Sequence, residues 1–176
     1  DLALANSEFK IDITRHDDIS ELGYDGVEFL ISTNPGEPLR PMAKIASGGE
    51  ISRIMLAFKH IIGSSDSVET MIFDEIDTGI SGKTALVVGH KLSEIANHRQ
   101  ILCITHLPQI AASGDDNFSI DKEISEGKSH TVITHLDEAS KLEMLARLIS
   151  GAPDSSNALE AARELVASVK TKKLEA

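Results

Sequence analysis

Three short stretches hold side chains whose types and spacing could do chemistry. The first is Ser47-Gly48-Gly49-Glu50, directly before an apolar run with helical periodicity. Ser-x-x-Glu is a capping box, in which the serine caps a helix and the glutamate reaches back. The two adjacent glycines exceed what a box requires. They let a ligand approach the backbone and leave N–H groups at the positive end of a helix, a setting that binds phosphate. Both capping alone and phosphate binding are open on these residues.

The second stretch is Met71-Ile72-Phe73-Asp74-Glu75, an apolar run ending in two acids. Ligands of open α/β folds bind at the carboxyl ends of parallel strands. In phosphoryl-transfer enzymes an Asp there supports Mg²⁺, and a neighbouring carboxylate can orient or deprotonate a water. The competing reading is that both acids only cap the next turn. The third stretch is Ile101-Leu102-Cys103-Ile104-Thr105-His106, again apolar with a chemical residue at its end. A lone histidine is more often packed or solvated than catalytic, but His106 shares its predicted sheet edge with Asp74 and Glu75.

Two other features carry less. Ser81-Gly82-Lys83-Thr84 looks like the end of a GxxxxGK[ST] phosphate loop, but Asp77 stands where the first glycine belongs. We read Lys83 and Thr84 as the start of a helix. The alternative, a self-sufficient kinase built on that loop, would require tight nucleotide binding that depends on Lys83. His16, His60, His90, His98, His130 and His135 show no metal-ligand spacing, and Cys103 reads as inert core.

The elements that must position these residues follow from periodicity. Phe9, Ile11 and Ile13 alternate, as do Val27, Phe29 and Ile31, which predicts two half-buried strands with a loop over 15–26 between them. The prolines and glycine of 33–41 predict no regular element. Ile51, Ile54, Met55, Phe58, Ile61 and Ile62 predict a helix stopped by Gly63, and a polar loop follows over 64–69. Buried strands are predicted at 71–73 and 100–105, joined by a helix with an Ala85, Val88, Leu92, Ile95 and Ala96 stripe. That is a βαβ unit, so the sheet should be largely parallel and flanked by helices. A hairpin over 118–124 and 131–136, a helix over 140–149 closed by Gly151, and a last helix over 156–169 complete the chain. Lys170, Lys172 and Lys173 suit that helix's C-terminus.

Composition narrows the function classes. The 176 residues argue for one domain with a real core. The longest apolar run, Ile54 to Phe58, falls far short of the about 20 residues of a membrane span, and no signal peptide opens the sequence. A formal charge of −11 disfavours a nucleic-acid-coating surface, and one Tyr with no Trp disfavours a base-stacking platform. A single cysteine makes a reducing cytoplasm the default. The first residue is Asp1, not Met, so a fragment of a longer protein is expected.

The ordered set now resembles a family. SGGE, an apolar strand ending DE, a loop Asp77-Thr78-Gly79-Ile80-Ser81 and a strand ending in His106 are similar to the signature, Walker B, D-loop and switch histidine of ABC-type ATPases. The wording "ASGGEISRIMLAFK", "IFDEIDTGISG" and "ITHLPQIAA", with "LISG" further on, resembles the DNA-repair members of the related SMC branch over about 25–151. The resemblance implies a P-loop NTPase-like α/β fold and the C-terminal lobe of an ATPase head lacking Walker A. Within that lobe, 1–41 would follow a coiled coil, 42–151 would carry the motifs, and 152–176 would be a terminal helix. It implies ATP and Mg²⁺ as cofactors and a head that sandwiches ATP against a second head. Ser47, Gly48, Gly49 and Glu50 would form the signature facing ATP on the opposite head. Asp74 would support Mg²⁺, Glu75 would be the general base, Asp77 would lie between the two sites, and His106 would sense the γ-phosphate. The implied partners are an N-terminal Walker A lobe of the same chain and a second copy, with DNA held elsewhere and no membrane. The implied setting is the cytoplasm, at the nucleoid, in recombinational repair of double-strand breaks. An isolated lobe would be inactive. The alternative is a nucleotide-switched dimerisation and DNA-tethering module with little hydrolysis.

Overall fold

The computed structural model describes residues 1–176 apart from 1, 3, 5, 46, 63–66, 126, 152–155 and 175–176, and leaves aside the side chains of 172–174. The expected stop at Gly63, half of the loop after it, and the basic side chains of Lys172 and Lys173 lie outside the described residues.

The chain opens with a hairpin, β1 (Glu8–Ser20) and β2 (Gly23–Ser32), paired antiparallel. Phe9 faces Ile31, Ile11 faces Phe29 and Ile13 faces Val27, so the predicted alternation lies on one face, but the expected half-burial is not met: only Ile31 of these six is buried and the other five are exposed. The strands run further than their apolar residues. The expected loop over 15–26 is mostly strand, with a register shift between Arg15 and Ser20. Ladder hydrogen bonds join backbone to backbone, so polar residues with both faces in water can still pair. A short β3 (Arg40–Pro41) adds to β2, inside the segment expected to be irregular. Pro41 is tolerated because it stands on an edge strand.

Helix α1 (Gly48–Ile62) follows. Its buried residues are Gly49, Arg53, Ile54 and Leu56. This corrects the expected stripe: Ile51, Met55, Ile61 and Ile62 stay exposed, and Leu56 is the deepest side chain. A helix apolar on several sides does not reveal which side turns inward. Phe58 fastens α1 to the hairpin, with ring centroids 5.5 Å from Phe9 and 6.0 Å from Phe29.

β4 (Thr70–Phe73), α2 (Gly82–Ala96) and β5 (Gln100–Cys103) form the expected βαβ unit, with the two strands parallel. Ala85, Val88, Leu92 and Ile95 of α2 pack with Leu56, Met71, Phe73, Ile76 and Ile110 into the main core. Parallel pairing is confined to β4 and β5 among the described residues; the other sheets are antiparallel. The α/β class holds, with a smaller parallel core than expected. Glu94 of α2 ties the helices together, 2.8 Å from Lys91 Nζ, 3.2 Å from His90 Nδ1 and 3.4 Å from His60 Nδ1 of α1. Burial pushes the Glu94 carboxyl up, but Lys91, His90 and His60 outweigh it and leave it below its ordinary value.

After a short α3 (Pro108–Ala111), β6 (Asn117–Ser125) and β7 (Lys128–Leu136) form the predicted second hairpin. Helix α4 (Glu138–Ser150) is capped by Asp137, which accepts from Ser140 N at 2.8 Å, and closed by Gly151 at φ 71°. Leu145 and Ala146 of α4 pack on Ala158 and Ala162 of α5 (Ser156–Leu174) in a second small core. No helix of the described residues is long and apolar enough to cross a membrane.

Candidate functional site

β4 and β5 are parallel and in register, with Phe73 opposite Cys103. Their carboxyl ends therefore coincide, and Ile104 N extends the ladder to Phe73 O at 3.0 Å. This brings Asp74 and Glu75 to the same edge as Thr105 and His106. Both acids and His106 are exposed there.

The start of α1 lies alongside. Ser47 Oγ accepts from Glu50 N at 3.4 Å and Ser47 O accepts from Ile51 N at 3.1 Å, so the serine caps the helix. The return arm from the Glu50 side chain is not formed among the described residues. Ser52 Oγ donates to Asp74 O at 2.9 Å, which joins the helix to the end of β4. Asp74 Oδ1 accepts from Glu75 N at 2.9 Å. Glu75 has φ 55°, and it alone has positive φ among the described non-glycine residues. Left-handed backbone costs a residue with a Cβ about 1–2 kcal/mol, and such positions cluster at functional sites.

The glycines of the first stretch have a structural use. A Cβ on Gly49 would meet Thr78 O at 2.8 Å and Glu75 O at 3.0 Å, and one on Gly48 would meet Glu75 Oε2 at 2.5 Å. The helix terminus is thus pressed onto the loop that carries the acids.

Two buried charged residues hold that loop. Arg53 Nη1 donates to Ile76 O at 3.2 Å and Thr78 O at 2.7 Å. Burial lowers the pKa of its guanidinium and the Glu50 charge opposes the shift; the group stays protonated. Asp77 is only 4% exposed. Its Oδ2 accepts from Thr105 Oγ1 at 2.6 Å and His106 N at 2.8 Å, and lies 2.9 Å from His106 Nδ1. Arg53, Ser52 and Thr105 were not singled out from the sequence. The available signal was an arginine one turn into a helix face otherwise apolar.

Lys83 and Thr84 sit in the first turn of α2, where Thr84 N donates to Ser81 O at 3.2 Å. That is a helix start, as expected. The Cys103 thiol is pushed up to about 12 by burial, with Asp77 and Asp74 adding to the effect, so it is an unreactive thiol at neutral pH. Among the described residues no three His, Cys, Asp or Glu side chains stand together as a metal cage. An exposed Asp74 with one oxygen held suits Mg²⁺, which binds through one or two carboxylates plus phosphates.

No family model matches the chain. Over 167 residues it is 42% identical to the DNA repair protein RecN of Vibrio cholerae, a match that covers 94% of this chain and 30% of that protein. The chain is RecN-like over almost its whole length. It is also 43% identical over 171 residues to the RecN of Treponema pallidum and 44% identical over 148 residues to that of Bacillus subtilis. It spans about 30% or less of the length of these curated relatives. Among solved structures, the Smc head domain with a coiled coil and joint from Pyrococcus yayanosii aligns over 85% of this chain and 27% of that one. The TM-score is 0.58 at 19% identity. The Smc head domain with an extended coiled coil from Pyrococcus furiosus, bound to the C-terminal domain of ScpA, aligns over 80% and 33%, with TM-score 0.53 at 21% identity. Over most of its length the RecN-like chain therefore shares the fold of a part of these Smc head structures.

Proposed function

We propose that this chain is the C-terminal lobe of an ATP-binding and hydrolysing head in a RecN-like DNA repair protein. One observation carries the reading: Asp74, Glu75 and His106 meet at one sheet edge, with the glycine-rich N-terminus of α1 packed against Glu75. ATP hydrolysis needs a positioned water and electrostatic support more than covalent chemistry, and these residues match that need. Glu75 takes the proton of the attacking water. His106 faces the γ-phosphate. Asp74 would hold Mg²⁺, whose charge would neutralise the phosphate oxygens. Ser47, Gly48, Gly49 and Glu50 form the signature that meets ATP on a second head, and Asp77 belongs to the loop between the two sites.

The phosphate-cradling Walker A loop belongs to an N-terminal lobe of the same protein, so the 176-residue chain alone should neither bind ATP tightly nor hydrolyse it. A second copy completes the sandwich. The acidic character of this lobe, with formal charge −11, is compatible with DNA held on other parts of the protein. The setting that follows is the cytoplasm, at the nucleoid.

The test is Glu75→Gln in the full-length protein. ATP turnover should fall by at least about a hundredfold, in line with loss of a general base. Turnover at the wild-type rate would sink the general-base role and favour a nucleotide-switched tethering module.

A further inference from the structure

We infer that Asp77 is the positioning residue for His106, and that it acts from within the same chain. The inference rests on the reading of His106 as the group that faces nucleotide.

The geometry is specific. A buried carboxylate oxygen, Asp77 Oδ2, accepts from the Thr105 hydroxyl at 2.6 Å and the His106 amide at 2.8 Å, and lies 2.9 Å from His106 Nδ1. The first two contacts fix the backbone on which the ring is mounted. Thr105 Oγ1 also accepts from Leu107 N at 3.1 Å, which closes the turn after β5. The third is a charge contact by distance only, between the buried carboxylate and a side chain that is 73% exposed.

Asp77 is itself held from the opposite side. Arg53 binds the carbonyls on either side of it, those of Ile76 and Thr78. Ile76 is fully buried in the main core. Thr78 N donates to Glu75 O at 3.0 Å, so the loop that aims His106 is the loop that carries Glu75. The position of the His106 backbone is thus set by α1 through Arg53 and Asp77. Losing an outer partner that positions a functional histidine commonly changes activity by about 10–100-fold.

The experiment is a double-mutant cycle on steady-state ATP turnover by the full-length protein. Asp77→Asn should lower kcat by about tenfold or more while KM for ATP stays within about twofold. In a His106→Ala background, Asp77→Asn should cost less than about twofold further. If the two losses multiply, Asp77 has only a structural role and the inference falls. If His106→Ala leaves turnover unchanged, the reading of His106 falls and this inference falls with it.

Discussion

A Cβ on Gly48 would stand 2.5 Å from Glu75 Oε2, inside any normal contact distance. The glycine and the acid come from different motifs, and the contact lies within one chain. Gly49 is confined mainly by backbone, Thr78 O at 2.8 Å and Glu75 O at 3.0 Å, with the Arg53 Nη1 end also at 3.0 Å. The pair therefore has two separate structural duties in addition to any contact with phosphate.

That difference predicts different phenotypes. Gly49→Ala pushes on backbone that Arg53 already holds, and should cost about 1–3 kcal/mol of stability. Gly48→Ala pushes only on the end of a flexible side chain. Its stability should stay within about 1 kcal/mol of wild type, since alanine favours the helix, while turnover falls because Glu75 is displaced. Urea unfolding and ATPase assays on the full-length protein compare the two; equal losses of stability would refute the distinction.

The left-handed backbone at Glu75, φ 55°, predicts a trade between stability and activity. Glu75→Gly should be more stable than Glu75→Ala by about 1 kcal/mol, because only glycine adopts this conformation freely. Both variants should lose turnover. Denaturant midpoints measure the difference, and an alanine variant as stable as the glycine variant would show that no strain is held there.

The β4–β5 pair is covered on one face only. Ile72 and its cross-strand neighbour Leu102 are 68% and 47% exposed, and Ile104 beyond them is 53% exposed. Parallel strands are normally buried on both faces. The 176-residue chain should therefore bind a hydrophobic dye and self-associate, and Ile72→Thr with Leu102→Thr should reduce both. Dye fluorescence and light scattering read the result. No change in the double variant would show that the exposed face is not the sticky one.

Acid sensitivity is expected at the start of α4. Backbone and side-chain hydrogen bonds from Ser140 hold the Asp137 carboxyl below its ordinary value of 3.8. A carboxyl depressed on folding contributes stability above its unfolded value, and that contribution is lost as pH falls through the folded value. Asp137→Ala should therefore be less stable than wild type at neutral pH, with the gap closing below about pH 4. Chemical denaturation across that range measures it; a gap that does not change with pH would exclude the cap as its source.

Much of this architecture was legible in local sequence. The stripe of Ala85, Val88, Leu92 and Ile95 faces the core as its spacing requires, and Gly151 closes α4 in the left-handed conformation. The apolar runs of β4 and β5 end at the residues proposed for chemistry. Other features were hidden. The polar half of β1 pairs through its backbone, and its side chains carry no record of the partner. The inward face of α1, with Arg53 and Leu56, depends on which neighbours cover a helix that is apolar on several sides.

The sequence by itself determined the candidates Ser47, Gly48, Gly49, Glu50, Asp74, Glu75 and His106, because each stands at a recognisable break in a periodic segment; Asp77 came in only through the family resemblance. Only the tertiary structure decided how they are joined. Asp77 bonds to a residue 29 positions away, and Arg53 to carbonyls 23 and 25 positions away. Periodicity records which side of one element faces inward. It holds no information about which buried carboxylate meets which histidine, because that contact exists only after the core has brought two strand ends together.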